Sequence, residues 1–156
     1  MAIITLNNNS LSSVTALPAG VGGKVLQVVT ATSTSAVNTT STSFVTTGHS
    51  LSITPSATSS KIFLIANMEV QSTGNTANFD IYQSTSSSFV SGGLGRGLGA
   101  TEPANVMIPM AMNVLVSPNT TSAITYTIYF SHSTGGTAYY GRPDVLSSLT
   151  AYEIAG

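Results

Sequence analysis

A chain of 156 residues suits one domain and is long enough to bury a real core, about 68–70% of its unfolded surface. Hydrophobic residues make up 42%, charged residues only 6%, and the net charge is −1. These values exclude a disordered chain, which needs low hydrophobicity and high net charge, and a nucleic-acid binder, since Lys24, Lys61, Arg96 and Arg142 are the only lysines and arginines available to neutralise phosphates.

With no cysteine the fold uses no disulfide and no thiolate metal site. The start MAIITLNNNS has neither the basic opening nor the long apolar run of a signal peptide, and no segment approaches the ~18 apolar residues of a membrane span. A net charge so close to zero favours association over a free monomer.

Residues 1–23 read as an arm and tether. Ile3, Ile4 and Leu6 form an apolar tip, Asn7 to Gly23 is polar and loop-like, and Pro18, Gly20, Gly22 and Gly23 close it. Such an arm adds an extended segment to a partner, with Ile3, Ile4 and Leu6 as the anchor; the plain alternative is a frayed tail.

The β domain occupies 24–156. KVLQVV (24–29) predicts its first strand, and the Ser/Thr-rich run 30–43 suits an extended, solvated edge. Phe44-Val45 and Leu51–Ile53 predict two short strands around Gly48-His49. KIFLIANMEV (61–70) alternates strictly. Ile62, Leu64, Ala66, Met68 and Val70 fall on one face, and Lys61, Phe63, Ile65, Asn67 and Glu69 on the other. A sandwich strand needs one apolar face, so Phe63 and Ile65 on the second face predict a contact with another subunit.

After a turn at Gly74-Asn75, ANFDIYQ (77–83) alternates again, which predicts a hairpin with the 61–70 strand. The glycine-rich SGGLGRGLGA (91–100) matches neither phosphate-binding pattern and reads as a flexible loop or a tightly packed crossing. NVMIPMAMNVLV (105–116) places Val106, Ile108, Met110, Met112, Val114 and Val116 on one face, with Pro109 marking an edge or bulge. SAITYTIYFS (122–131) puts Ile124, Tyr126, Ile128 and Phe130 on one face, and LTAYEI (149–154) closes the domain. Nowhere do apolar residues recur at helical spacing for two turns. The expectation is an all-β, jelly-roll-like antiparallel sandwich of about eight to ten strands.

No chemistry stands out. His49 and His132 sit in no metal-ligand pattern and read as surface or strand-end residues. Glu69 and Asp80, facing across the expected hairpin, would be the one carboxylate pair at glycosidase distance; two solvated strand residues is the plainer reading. No serine lies in G-x-S-x-G. The reading is of a non-enzyme with no catalytic, metal or cofactor-binding residue.

Several stretches resemble small virion structural proteins of tailed marine bacteriophages: the opening MAIITLNNNSL, SSKIFLIANMEVQSTGNTANFDIY (59–82), SAITYTIYFSHSTGGTAYYG (122–141) and the ending SSLTAYEIAG (147–156). That resemblance implies a trimeric jelly roll of the tumour-necrosis-factor or complement-C1q type, displayed on the particle as a head decoration, head fibre or tail fibre, with other virion proteins as partners. It brings no catalytic residue. A host-attachment module is the alternative, with Tyr139 and Tyr140 near a loop as a stacking platform for a host-surface glycan.

Overall fold

The computed structural model describes residues 24–103 and 105–156, and among these there are eleven strands and no helix. They are β1 (Val25–Ser33), β2 (Val37–Thr39), β3 (Val45–Ile53), β4 (Lys61–Thr73), β5 (Ala77–Gln83), β6 (Ser88–Phe89), β7 (Gly99–Thr101), β8 (Ile108–Val116), β9 (Ile124–His132), β10 (Thr137–Tyr140) and β11 (Ser147–Ile154). The apolar tip Ile3, Ile4 and Leu6 lies outside the described residues.

Several of these strands share a line. Along one edge of β4, β11 pairs with residues 61–67 and β10 with residues 70–73, so β10 and β11 are one line broken by the excursion 141–146. On the outer side of that line, β1 pairs with β11 and β2 with β10. The other edge of β4 is taken by β8. The first sheet therefore runs β8, β4, β11/β10, β1/β2. The second runs β3, β9, β5, with β6 and β7 sharing the last edge of β5.

Counted as lines, the strands number eight, and they nest antiparallel from the outside in. The first pairs with the last (β1 with β11), the second with the seventh (β3 with β9), the third with the sixth (β4 with β8), and the fourth with the fifth (β5 with β6/β7). Two four-stranded sheets connected this way are a jelly roll. The expected fold class is met by topology alone.

The core lies where the alternation put it. Ile62, Leu64, Ala66, Met68 and Val70 of β4 are buried against Phe79 and Ile81 of β5, Ile124, Tyr126, Ile128 and Phe130 of β9, and Leu51 and Ile53 of β3. Phe79 stacks on Phe130 at 6.3 Å between centroids. Met112 of β8 is buried in the same core, with Ile108, Met110, Val114 and Val116 packed around it. Val106 lies before that strand and is exposed. Pro109 sits on a strand that among the described residues pairs with β4 alone, where its missing N–H costs no ladder bond.

Two expectations about pairing are corrected. The 61–70 and 77–83 runs form no hairpin. Both edges of β4 are occupied, so the chain turns a corner at Gly74 (φ +83°) and enters the other sheet as β5. The two short strands around Gly48 are one strand, β3, with its register shifted between Thr46 and Ser50. Gly48 takes φ +80° there, a conformation that favours glycine, and Thr47 donates its hydroxyl to the Ile128 carbonyl at 2.8 Å.

Candidate interaction surface

The outer face of the first sheet carries the feature the sequence singled out. Side chains alternate along each strand, so residues opposite one another in the ladder form rows across the sheet. One row reads Leu115 of β8, Phe63 of β4, Tyr152 of β11 and Val28 of β1. All four point away from the core, because their neighbours Val114, Val116, Ile62, Leu64, Ala151 and Val29 point into it. Phe63 and Tyr152 are half-buried, with ring centroids 6.4 Å apart, while Leu115 is 51% and Val28 52% exposed.

The next row is Asn113, Ile65, Thr150 and Thr30, where the two threonine hydroxyls lie 3.0 Å apart. Beyond it come Ala111, Asn67, Ser148 and Thr32. Phe63 thus belongs to an apolar band that crosses the whole sheet, and Ile65 stands beside it on β4 in a row that is otherwise polar. Between Lys61 and Glu69, β4 presents no charge on this face. At the polar end Glu69 lies 3.8 Å from Arg142, which also meets Asp144 at 3.2 Å. A shallow hollow of about 330 Å³ opens there between β4, Pro109 and Ala111 of β8, and Leu146 of the 141–146 excursion.

The other candidate residues fall elsewhere. Glu69 and Asp80 lie on opposite outer faces of the sandwich and form no carboxylate pair. Asp80 is not solvated: it is fully buried and accepts hydrogen bonds from Ser91 Oγ and the Ile81 amide. Burial pushes its carboxyl above the usual range, with those hydrogen bonds acting the other way. The cover is Ser91 and the 97–99 end of the glycine-rich stretch, which crosses closely, whereas a Cβ on Gly92, Gly93 or Gly95 would meet nothing within 4 Å. Leu98 donates its amide to the Phe79 carbonyl, and a Cβ on Gly97 would stand 2.3 Å from that same oxygen.

Neither histidine is at the surface. His49 is buried between the sheets, 2.5 Å from the Tyr140 hydroxyl through Nδ1 and 3.1 Å from the Ala31 carbonyl through Nε2. A carbonyl only accepts, so Nε2 carries the proton and Nδ1 accepts from tyrosine. Burial lowers the pKa of this ring, the bond to Ala31 opposing, which fits a neutral imidazole. His132 is fully buried at the end of β9, with Nε2 3.0 Å from the Asn75 carbonyl. Tyr140 is buried in the core beside Phe130, so Tyr139 and Tyr140 make no stacking platform.

Two features were missed in the sequence. Phe44, Tyr82, Phe89 and Tyr129 cluster on the outer face of the second sheet. Tyr129 was placed on the outer side of its strand by period two, but the company it keeps depends on pairing. Glu153 is fully buried and accepts from Ser56 N–H and Oγ, Ser60 Oγ and Gln27 Nε2, at 2.6–2.7 Å. Burial alone would push its carboxyl up; the four donors overcome this and hold it down at about 2.

Among the described residues no group of three His, Asp or Glu side chains is placed to hold a metal ion, and no helix is long and apolar enough to cross a membrane. No protein-family model matches the sequence, and no curated protein does. Among solved structures the chain is similar to a protein described as "Crystal structure of infectious bursal disease virus VP2 subviral particle". The two are 12% identical over 83% of this chain, with a TM-score of 0.41. The chain spans 37% of that protein's length.

Proposed function

We propose that this chain is a structural protein of a bacteriophage particle, a non-enzymatic knob displayed on the virion surface as a capsid decoration or short fibre, and that it works as a homotrimer. The observation that carries the assembly part is the apolar band through Leu115, Phe63, Tyr152 and Val28 on a sheet face with no charge at its centre. Fully burying a side chain of this size from full exposure is worth about 1.5–3 kcal/mol, and these four are already about half covered, so each gains about half of that on meeting copies of itself. The net charge of −1 adds little repulsion between copies. The phage part rests on the sequence resemblance described above. The jelly roll is compatible with it and, hosting many functions, does not select it.

The test of the assembly is mass. Light scattering on the full chain is expected to give three copies. Ile65→Lys, which sets an unpaired charge beside the band, is expected to shift the protein to monomer without unfolding it. A monomer mass for the wild-type protein overturns the reading.

The anchor is proposed to be Ile3, Ile4 and Leu6, seated on another virion protein such as a capsid or tail component. Ordering six backbone residues costs about 1–2 kcal/mol each, which is close to what three buried apolar side chains return. Main-chain pairing to a partner strand would tip that balance. Removing residues 1–6 is expected to leave folding and oligomeric mass intact and to abolish attachment to particles. Full occupancy of particles by the truncated protein refutes the anchor.

A further inference from the structure

The two outer faces of the sandwich differ in kind. The first sheet's is aliphatic and aromatic in a band. The second sheet's is hydroxyl-rich with one compact group of rings. Phe89 of β6 lies opposite Tyr82 of β5, and Tyr129 of β9 is one step along on the adjacent strand. Tyr82 and Tyr129 stand 5.2 Å apart with 37° between their planes. Phe89 stands edge-on to both, at 5.4 and 5.5 Å, and Phe44 closes the group at 4.8 Å from Phe89. All four rings are half-buried. Among the described residues neither the Tyr82 nor the Tyr129 hydroxyl has a hydrogen-bond partner within the chain, and neither is a buried orphan.

We propose that Tyr82, Tyr129 and Phe89 form a binding site for a neutral saccharide. The tyrosines pack against each other with Phe89 edge-on to both, so the site is the half-exposed outer surface of this ring group. An aromatic face is electron-rich and attracts the polarised C–H groups on the apolar face of a sugar ring. The rim is neutral and hydroxylated. Thr46 is exposed and lies opposite Tyr129, and Thr127 lies opposite Tyr82, so donors and acceptors border the rings. Asp80 is fully buried beneath Ser91 and unavailable to a ligand, and at the other end of β5 the exposed Glu102, bonded to Thr76, pairs with Arg96 at 3.1 Å. Charge complementarity therefore selects an uncharged, polyhydroxylated partner over an anion such as phosphate. A protein partner needs about 800 Å² per side, and these rings end at serine and threonine on the strands around them. The site deepens the host-attachment reading and rests on the proposal that copies cover the first sheet, leaving this face outermost.

The test uses the full chain. It contains no tryptophan, so its six tyrosines are the intrinsic fluorophores. Neutral gluco-, galacto- and manno-oligosaccharides of a few units are titrated while tyrosine emission is followed, with sulfated counterparts as a second arm. At least one neutral probe is expected to saturate with a Kd of about 10 μM to 1 mM. Tyr82→Ala and Tyr129→Ala are each expected to weaken it at least tenfold, and Tyr129→Trp, which enlarges the ring group, to change it at least threefold while keeping the sheet filled. The proposal is overturned if no neutral probe saturates by about 10 mM, if only sulfated probes bind, or if Tyr129→Trp leaves affinity unchanged. It is also overturned if the alanine variants alter oligomeric mass, which would make the rings a subunit contact. Mass is read on the same samples. A trimer that binds no sugar therefore sinks this site alone, and a monomer that binds sugar sinks the assembly reading alone.

Discussion

Glu153→Gln isolates one buried charge with little change of shape. In the native protein Oε1 accepts from the Ser56 amide, Ser56 Oγ and Ser60 Oγ, and Oε2 accepts from Gln27 Nε2. A glutamine can keep the first three. Its amide nitrogen then faces Gln27 Nε2, which already donates to the Thr54 carbonyl at 2.7 Å, so two donors meet. The ordinary value for the carboxyl is 4.5 and the folded one about 2. At about 1.4 kcal/mol per pH unit, that gap corresponds to at most about 3–4 kcal/mol of stability. The folded value is the lower one, so the contribution is present above pH 4.5 and lost as pH falls from 4.5 to 2. Urea unfolding at equal protein concentration, at pH 7 and pH 3, reads both limbs. The variant is expected to be about 2–3 kcal/mol weaker at pH 7, a midpoint shift of roughly 1–2 M, with most of the deficit gone at pH 3. A deficit of the same size at both pH values, or none at pH 7, refutes the assignment of this carboxylate as the acid-sensitive tie.

Two further outcomes follow from the geometry. A Cβ on Gly136 would stand 1.6 Å from the Thr73 carbonyl oxygen, whereas one on Gly135 meets nothing nearer than 3.9 Å and suffers only from its φ of +73°. Gly136→Ala is expected to cost more than about 3 kcal/mol and Gly135→Ala about 1–2; equal losses in thermal melts refute the close approach. His49 has a folded pKa below its ordinary 6.5, so the stability its neutral ring supplies is present above pH 6.5 and lost as pH falls below it, ahead of the Glu153 limb. His49→Phe is expected to flatten stability between pH 6.5 and 5 and to lose about 1–3 kcal/mol at pH 7.5, where Tyr140 and Ala31 lose their partner. An unchanged slope refutes it.

The alternation of β4 was legible because strict period two with large apolar residues has one meaning. Which strand lies beside it was not. A turn at Gly74 looks the same whether the chain folds back beside β4 or crosses to the other sheet, and only the occupancy of both edges of β4 decides. His132 was within reach: the buried stripe Ile124, Tyr126, Ile128, Phe130, extended by one step, lands on it. So was His49: burial alternates without a break from Val45 to Ile53, and the stripe Ile53, Leu51 extended back by one step lands on it. The burial of Asp80 on an outward position comes from Ser91 and the 97–99 crossing, a contact between segments that no local pattern encodes. Phe63 and Ile65 stood out because two apolar residues on the wrong face of a strand need a reason. The row partners of Phe63, which are Leu115, Tyr152 and Val28, belong to strands whose register the sequence leaves open.

The proposed contact and the proposed anchor are linked by position. Lys24, the first described residue, accepts the Ala155 amide, and Val25 stands opposite Ile154 at the end of the sheet where Phe63 and Tyr152 lie. In the proposed assembly, copies that meet through the apolar band would bring their Lys24 ends, to which residues 1–23 are joined, to one side. Three weak anchors on one body bind as one, with a gain of about 10²–10⁴ over a single arm. Ile65→Lys leaves the arm untouched and is expected to weaken attachment to particles by that factor once the protein is monomeric. The measurement is occupancy of particles against protein concentration, wild type beside variant. If a monomeric variant decorates particles at the wild-type concentration, attachment does not depend on the gathering of arms, and the band serves some other contact.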